Sequence, residues 1–396
     1  MPDFLSEAQS LFDYTQSLRR DFHAHPELGF HEVRTAGIVA KELKALGLQV
    51  HTGIAGTGIV ALLAGTKPAP VILVRADMDA LPIVEETGAA YASRNPGMMH
   101  ACGHDGHTAI LLTVAKMLHA RRDELAGTVK FMFQPAEEGM GGAEKMIEGG
   151  VLENPKVDAT LGLHLWNEKP VGWFGIANGP AMAGAEIFKV KIVGKGGHAA
   201  APHLTADPIF AAAQIVSALQ GIVARNVPPL QTAVVSVCTI HGGETFNVIP
   251  PAVELTGTIR TFEPEVRTRV LQRFEETVRG VAEALECQAE IELQRLTPAT
   301  VNQPEIAASV QAVARRLFPD AEIDSANYVT MGSEDFAFIL EKVPGCFFFV
   351  GSANKEKGLD AGHHHPRFDF DEVVLPHAAA LLAAAAVDLL SNESIR

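Results

Sequence analysis

The sequence lacks the features of nucleic-acid-binding, membrane-spanning and secreted proteins. No run of lysine or arginine exceeds two residues, and the 396-residue chain has a net charge of −15, which excludes a basic surface for phosphate backbones. No uncharged apolar run reaches the roughly 18 residues that span a bilayer; the nearest, 376–387, predicts a buried helix. The first ten residues show no basic segment before an apolar core, so we expect a cytoplasmic protein without a secretory signal.

Cysteine is scarce as well. The four cysteines lie far apart at positions 102, 238, 287 and 346, and no CxxC pair occurs. Free thiols in a reducing compartment are therefore expected rather than a disulfide framework. Cys238, Cys287 and Cys346 stand in apolar or strand-like contexts, which favours small buried side chains. Cys102 differs, because it stands among histidines.

The order of the predicted elements indicates an α/β protein of at least two domains. In the first half, helical and strand patterns alternate, and the polar motifs follow directly after strands, where α/β folds bind their ligands. We predict helices at 4–24, 31–47 and 107–121, and strands at 58–63, 71–74, 129–133 and 159–165.

The middle of the chain has a different pattern, strand–helix–strand–strand–helix–strand, which is the order of a ferredoxin-like unit. After residue 298 a predicted helix at 304–317 and an apolar strand at 346–350 resume, and this strand should rejoin the first sheet. We therefore predict a discontinuous domain of residues 1–183 and 296–396 that carries an inserted domain of residues 184–295. The predicted elements of the insertion are strands 186–193, 232–240, 253–261 and 289–293 and helices 207–225 and 264–285.

Two short motifs hold most of the candidate chemistry. The run 100–107, HACGHDGH, places one thiol and three imidazoles within eight residues, and the run 134–139, QPAEEG, places adjacent carboxylates on a tight turn. Thiolate and imidazole bind borderline-soft divalent ions, and carboxylates complete such sites or act as their base. Together the motifs indicate a metal site that performs chemistry rather than a purely structural zinc or an electron-transfer centre.

The two adjacent glutamates suggest separate roles, one as a metal ligand and one as a base. Side chains of neighbours diverge in a turn, so one of Glu137 and Glu138 can ligate while the other removes a proton from activated water, as hydrolysis requires. Asp105 is expected as a helix N-cap or as an outer partner of an imidazole. Asp77 and Asp79 both follow a strand, which favours a place at the site, and Asp77 is expected as an outer carboxylate. A capping loop and a solvated acidic turn are the simpler alternatives for the two motifs.

Further histidines stand out at positions 164, 198 and 364, although an isolated histidine is more often structural; His23 and His25 are placed in that structural class. Taken with these residues, the motifs resemble those of the metal-dependent amidohydrolases that include hippurate hydrolases, N-acyl-amino-acid deacylases and auxin-conjugate hydrolases, within the wider aminoacylase clan. The resemblance runs nearly end to end. Its motifs are RRDFHAHPEL at 19–28, RADMDALP at 75–82, HACGHDGH at 100–107, QPAEEG at 134–139, GGHA at 196–199, NVIP at 247–250, GTIR at 257–260, GSEDF at 332–336 and HHP at 364–366.

The resemblance implies a dinuclear-metal aminopeptidase-like catalytic domain with a ferredoxin-like lid, and hydrolysis of N-acyl-L-amino acids. It implies Glu137 as general base, His198 as the residue that reaches the scissile carbonyl, and Asn247 and Arg260 as groups that hold the polar end of the substrate. A homodimer through the lid is expected, with no nucleic-acid or membrane partner. Two divalent ions, Zn²⁺, Mn²⁺, Co²⁺ or Ni²⁺, would be bound by Cys102, His104, Glu138, His164 and His364.

Other functions remain open at this stage. A nucleotide-dependent enzyme is disfavoured, because the glycine-rich stretches 53–58 and 139–150 form neither a P-loop nor a complete GxGxxG motif. An acyl-amino-acid-binding module without turnover is disfavoured by the intact Glu137. Within the enzyme class, a dipeptidase or an N-acetyl-diaminopimelate deacetylase is the rival, since scattered apolar residues form the acyl pocket and encode no readable preference.

Overall fold

A computed structural model describes residues 3–326 and 328–392. The chain divides into two compact units. The first unit contains the chain up to Ala181, Thr300–Val329 and the chain from Asp335 onward, and the second contains Met182–Ala299 and Thr330–Glu334. The short segment Thr330–Glu334 therefore groups with the second unit, although the sequence-based division places it in the discontinuous domain.

Amphipathic and apolar segments form the helices at nearly the predicted positions. The prediction of one helix over 4–24 is wrong, because Leu11 interrupts it. In the described part of the chain the helices are α1 (Phe4–Ser10), α2 (Phe12–Ala24), α3 (Val33–Ala45), α4 (His104–Ala120), α5 (Gly142–Glu148), α6 (Pro208–Asn226), α7 (Pro264–Ala284), α8 (Pro304–Leu317), α9 (Ala337–Leu340) and α10 (Val374–Ser391).

The strands also follow the sequence pattern, with ends that extend the predicted runs. Among the described residues they are β1 (Gln49–Ile54), β2 (Gly58–Ala64), β3 (Val71–Asp77), β4 (Thr128–Gln134), β5 (Ala159–Pro170), β6 (Trp173–Gly175), β7 (Pro180–Met182), β8 (Gly184–Val193), β9 (Gly197–His198), β10 (Ala233–His241), β11 (Val248–Ile249), β12 (Ala252–Thr261), β13 (Gln288–Thr297), β14 (Thr300–Val301), β15 (Glu322–Asp324) and β16 (Gly345–Ala353).

An eight-stranded sheet, in the order β1-β2-β4-β3-β5-β16-β6-β15, forms the centre of the first unit. Its middle strands β4, β3, β5 and β16 are parallel, so their carboxyl ends lie at one edge. These strands are buried along nearly their whole length, which suits uninterrupted apolar runs covered on both faces. Strand β16 lies beside β5, which confirms that the late apolar segment rejoins the first sheet.

The second unit is a four-stranded antiparallel sheet in the order β10-β12-β8-β13, with α6 and α7 in its apolar core. This order, with two strand–helix–strand connections, is the ferredoxin-like arrangement expected from the sequence. Strand β12 alternates strictly between half-buried and buried residues, as a strand with one covered face does. Cys287 lies in this core, but Cys238 is exposed on edge strand β10, so its predicted burial is wrong.

Within the described part of the chain, two helices, α6 and α10, are long and apolar enough to cross a membrane by length and composition alone. Helix α10 contains the apolar run 376–387, and 78% of its most apolar window is buried inside the protein, as the sequence predicts for a core helix. For α6 the corresponding share is 33%, because one side of this helix packs on the second sheet and the other is exposed.

Candidate metal centre

Residues from five separate segments converge at the carboxyl-end edge of the parallel strands. Groups of candidate ligand atoms lie within 4.8 Å of one another, and the groups share members, so they form one continuous cluster. Four of the overlapping groups are Cys102 with His104 and His164, Cys102 with Glu138 and His364, His104 with Glu137 and Glu138, and Asp77 with His104 and His107. All five predicted metal ligands and the predicted base therefore meet in the first unit.

The loop and helix start after residue 100 present the thiol and the first imidazole. Gly103 is the N-cap of α4 with a φ of 90°, a left-handed conformation that glycine adopts without strain. The helix therefore begins at His104, one turn earlier than predicted. Asp105 lies in the first turn and is not the N-cap, so that part of the prediction is wrong.

Both buried histidines of the cluster direct Nε2 toward it, because backbone carbonyls hold the opposite nitrogen. His104 Nδ1 lies 2.9 Å from the Asp79 carbonyl oxygen, and His164 Nδ1 lies 2.7 Å from the Leu165 carbonyl oxygen. Each Nδ1–H therefore donates, which leaves Nε2 as the atom that could bind a metal ion. His164 Nε2 lies 3.5 Å from Cys102 Sγ.

The Glu138 carboxylate and His364 close the other side of the cluster. Glu138 Oε1 lies 3.1 Å from His364 Nε2, and the Glu138 backbone N–H donates to Asp79 Oδ2 at 3.0 Å. The His364 backbone N–H donates to the Ala101 carbonyl oxygen at 2.7 Å, so this loop is hydrogen-bonded to the residue before Cys102. Neighbouring His363 is instead hydrogen-bonded through Nε2 to the Leu165 carbonyl oxygen, so His364 is the member of its triplet that joins the cluster.

Glu137 lies on the turn that follows β4. Its Oε1 accepts a hydrogen bond from the Asp335 backbone N–H at 3.3 Å. Gly142 closes the turn so tightly that a Cβ there would lie 1.7 Å from the Pro135 carbonyl oxygen. Ala136 and His364 both adopt positive φ values, 54° and 64°, a strained conformation for non-glycine residues that concentrates at functional sites.

The donor set fits divalent metal ions. His104 Nε2 is buried and has no hydrogen-bond partner among the described residues. Leaving a buried polar atom without a partner is unfavourable, and a bound metal ion would supply that partner. Thiolate, imidazole and carboxylate together match the preferences of Zn²⁺ and neighbouring transition metals. Two adjacent carboxylates, Glu137 and Glu138, lie in the cluster beside His104.

The protonation of the metal-free cluster follows from its geometry. Burial raises the pKa of the Cys102 thiol and lowers that of His164 well below its ordinary value. Hydrogen bonds to Cys102 and Glu138 raise the pKa of His364 to about 10. His164 is thus neutral at pH 7, whereas Cys102 and His364 hold protons that the binding of a metal ion there would displace.

The two carboxylates expected as outer partners behave differently. Asp77 Oδ1 lies 2.7 Å from His107 Nδ1, and its Oδ2 lies 3.7 Å from His104 Nε2. Asp105 contacts an imidazole that is not a candidate ligand, since its Oδ2 lies 2.7 Å from His23 Nδ1 and 2.9 Å from Arg19 Nε. Asp105 therefore belongs to a buried ion network beside the site.

The sequence analysis gave His107 no role of its own and named Asp79 only beside Asp77, and the structure brings both residues to the cluster. His107 donates through Nδ1 to Asp77, and its Nε2 accepts the Leu165 backbone N–H at 2.9 Å, so both ring nitrogens have partners within the protein. Asp79 contacts His104 and Glu138 together. The signal for Asp79 was present in its position after β3, two residues beyond Asp77.

The predicted substrate residues lie in the second unit. Strands β9 and β11 pair His198 with Val248, which places His198 beside Asn247, and the Ala199 backbone N–H donates to the Asn247 carbonyl oxygen. His198 is exposed, and its Nδ1 accepts a hydrogen bond from the Ala200 backbone N–H at 3.1 Å, which leaves Nε2 available for another partner. Half-buried Arg260 donates to Ser333 Oγ at 2.8 Å.

Comparisons with known proteins find relatives that match most of the chain. The Peptidase family M20/M25/M40 model matches residues 73–388. N-acetyl-L-cysteine deacetylase of Bacillus subtilis (strain 168) is 44% identical over 377 residues, which cover 95% of this chain and 88% of that protein. IAA-amino acid hydrolase ILR1-like 4 of Arabidopsis thaliana is 41% identical over 394 residues, covering 98% and 88%.

A solved structure gives the same result. The YXEP protein of Bacillus subtilis, described as a dinuclear metal-binding peptidase from the M20 family, superposes with a TM-score of 0.84 at 38% identity and covers 96% of this chain and 99% of its own. The fold is therefore that of the family, and the protein is a metal-dependent hydrolase. The chain belongs to Peptidase family M20/M25/M40.

Proposed function

We propose that this protein hydrolyses the amide bond of N-acyl-L-amino acids and releases a carboxylic acid and a free amino acid. The observation that carries the proposal is the convergence of a thiol, imidazoles and a carboxylate around a further, adjacent carboxylate, Glu137. Its relatives named above, a deacetylase of N-acetyl-L-cysteine and a hydrolase of IAA-amino acids, support this class of substrate. The residues proposed to bind two divalent ions are Cys102, His104, Glu138, His164 and His364.

Glu137 carries the proton transfers in this mechanism. When bound, the ions act as Lewis acids that polarise the amide carbonyl and make water more acidic. The Glu137 carboxylate takes a proton from the attacking water and then gives it to the departing amine nitrogen, which makes the amine a neutral leaving group. The Asp335 N–H donates to the same carboxylate and keeps it aimed at the cluster.

The second unit supplies the groups that bind the substrate. His198 donates a hydrogen bond from Nε2 to the carbonyl oxygen, where negative charge develops as water attacks. Arg260 binds the α-carboxylate of the amino-acid part, since its planar guanidinium can pair with both oxygens. Asn247, beside His198, binds the same polar end of the substrate.

We further propose that the second unit mediates a homodimer. Large apolar side chains are exposed on it, and Leu230, Phe246 and Leu204 have exposed fractions of 100%, 96% and 63%. Large apolar side chains that a single chain leaves exposed to water are candidates for burial against a second copy. Light scattering after size-exclusion chromatography tests the dimer, and a monomer at micromolar concentration would contradict it.

A hydrolysis panel on metal-reconstituted protein tests the function. Protein loaded separately with Zn²⁺, Mn²⁺, Co²⁺ or Ni²⁺ is offered hippurate, N-acetyl-amino acids, indole-acetyl-amino acids and dipeptides, with chelated protein as control. We expect turnover of one or more N-acyl-amino acids that chelation abolishes and metal restores. Turnover of dipeptides alone, or full activity after exhaustive chelation, would contradict the proposal.

A further inference from the structure

The guanidinium of Arg75 lies behind the proposed catalytic cluster and is completely buried. It is located on β3, beside β4 and β5 in the parallel part of the sheet. A buried guanidinium at this place needs an explanation, because a charge in a sheet interior is unfavourable unless partners fix it.

Arg75 donates in three directions to side chains that border the cluster. Nε donates to Gln134 Oε1 at 2.8 Å, Nη1 to Asp77 Oδ2 at 2.7 Å, and Nη2 to Asp335 Oδ1 at 3.1 Å. Gln134 completes the arrangement, since its Nε2 donates to both oxygens of Asp335 at 2.7 and 2.9 Å. The Asp335 side chain is thus held from two sides.

Asp335 in turn fixes the turn that carries the proposed base. Its Oδ2 accepts the Ala143 backbone N–H at 2.9 Å at the start of α5, where that turn ends. Its own backbone N–H donates to Glu137 Oε1 at 3.3 Å. Both ends of the turn, Gln134 and Ala143, and the Glu137 carboxylate between them are therefore connected to one aspartate that Arg75 holds.

We infer that Arg75 is a positioning residue for the hydrolytic step, acting through Asp335 to fix the Glu137 carboxylate in its reactive orientation; the inference rests on the proposed role of Glu137. The planar guanidinium of Arg75 donates to three acceptors at once, and the ammonium of a flexible lysine side chain does not reproduce that geometry. A displacement of about 1 Å in a catalytic group lowers the rate by about 100-fold.

The experiment is a double-mutant cycle on metal-loaded protein, using the best substrate of the panel above in radiolabelled form. We expect Arg75→Lys to lower kcat about 100-fold, to change KM less than about threefold, and to leave the metal content per chain as in the wild type. In a Glu137→Gln background, Arg75→Lys should lower the residual turnover by less than about threefold, because the group it positions is already gone.

Arg19→Lys is the matched control, because it distinguishes a loss of positioning from a general loss of structure. Arg19 is equally buried in the same unit and bonded to Asp105, Asp369 and Glu372, with no recorded contact to the turn of Glu137. Arg19→Lys should therefore lower kcat by the same factor in the wild-type and Glu137→Gln backgrounds. If Arg75→Lys does not fold, Gln134→Met breaks the same chain of contacts with the charge left in place, and the same non-additivity is expected.

The outcomes distinguish the inference from the function on which it rests. If Glu137→Gln alone keeps near-normal turnover, the proposed base is wrong. If Glu137→Gln is impaired but Arg75→Lys lowers kcat by the same factor in that background as in the wild type, the positioning role is overturned. It is also overturned if Arg75→Lys lowers kcat because the protein loses metal.

Discussion

Glu138 Oε1 lies 3.1 Å from His364 Nε2, although one residue follows β4 and the other follows β16. The contact arises because parallel strands end at the same edge of the sheet, so the loops after them meet there. A carboxylate and an imidazole at this distance are held as partners in the absence of a cation, and both become ligands when an ion is bound. The candidate centre is thus assembled by sheet topology.

Glu137→Gln tests the proposed division between ligand and base. The amide keeps the shape of the side chain but cannot accept a proton, so we expect metal content equal to wild type and a loss of kcat of at least about 100-fold, within the range measured for general bases. Plasma emission spectrometry and initial rates check this. Glu138→Gln is the matched neighbour and should lose metal as well as activity. Near-normal turnover of metal-replete Glu137→Gln would contradict the assignment.

The neighbouring histidines of the triplet give a second matched pair. His364 contacts Glu138, whereas His363 is hydrogen-bonded to a backbone carbonyl, so His364→Ala removes a ligand and His363→Ala only a support. We expect His364→Ala to weaken metal binding by more than about 100-fold and His363→Ala by no more than about 10-fold, the lower limit for loss of an outer partner. Competition with a fluorescent chelator measures both affinities, and the reverse order would place His363 in the site.

Metal binding should release protons at neutral pH. The pKa of His364 in the metal-free protein is about 10 and burial raises that of Cys102, so both are protonated at pH 7 and must be deprotonated to ligate. The apparent affinity should therefore rise with pH, by about tenfold per unit for each proton released. Calorimetric titration at pH 7 in buffers of different ionisation enthalpy counts the protons, and an affinity independent of pH between 6 and 8 would contradict the cluster.

Arg260 can be tested through the substrate. If its guanidinium binds the α-carboxylate, Arg260→Lys should lower kcat/KM by about 10- to 100-fold for N-acyl-amino acids, mostly through KM. For the corresponding amino-acid amides, which lack that charge, wild type and variant should differ by less than about threefold. Equal losses for both substrates would show that Arg260 acts on the fold instead, through Thr258 and Ser333.

The buried network around Arg19 predicts how stability depends on pH. Burial raises the pKa of Asp105, but Arg19 and His23 lower it more, so the group ionises well below its ordinary value of about 3.9. A depressed carboxyl pKa contributes stability that is complete above the unfolded value and is lost as the pH falls. The free energy of unfolding should therefore decrease below about pH 4.

Arg19→Met removes this stabilisation and leaves buried carboxylates without their cation. We expect a loss of about 3–5 kcal/mol at pH 7 and a weaker dependence on acid than in the wild type. Arg121→Met is the control, because its ion pairs with Glu7 and Glu124 are partly exposed and contribute at most about 1 kcal/mol. Urea unfolding at pH 7 and pH 3 measures both, and equal losses for the two variants would contradict the account.

Much of the fold was readable from the sequence, because apolar runs and helical spacing are local. Strands such as β4 and helices such as α8 were predicted within a residue or two, and the ferredoxin-like order followed from element order alone. The break at Leu11 was not, since the amphipathic pattern runs through it and no proline or glycine marks it. Cys238 was misassigned because a strand at a sheet edge has the same composition as one at its centre.

The candidate site, like the fold, could be predicted from the sequence only in part. Cys102, His104 and the glutamates stand in compact motifs, and the family resemblance added His164 and His364 by their context. His107 and Asp105, in the same motif as His104, have roles that depend on which nitrogen or oxygen meets which partner. Those partners, Leu165 for His107 and Arg19 for Asp105, come from distant parts of the chain. Spacing along a sequence does not carry that information.

The central claim is that the cluster binds two ions while Glu137 stays unligated. Anomalous diffraction at the metal edge, from crystals of the reconstituted protein, tests it most directly. We predict two anomalous peaks at bonding distance, about 2.0–2.3 Å, from atoms of Cys102, His104, Glu138, His164 and His364, with no bond to Glu137. A single peak, or peaks bound through Asp77 and His107 in place of these side chains, would contradict the account.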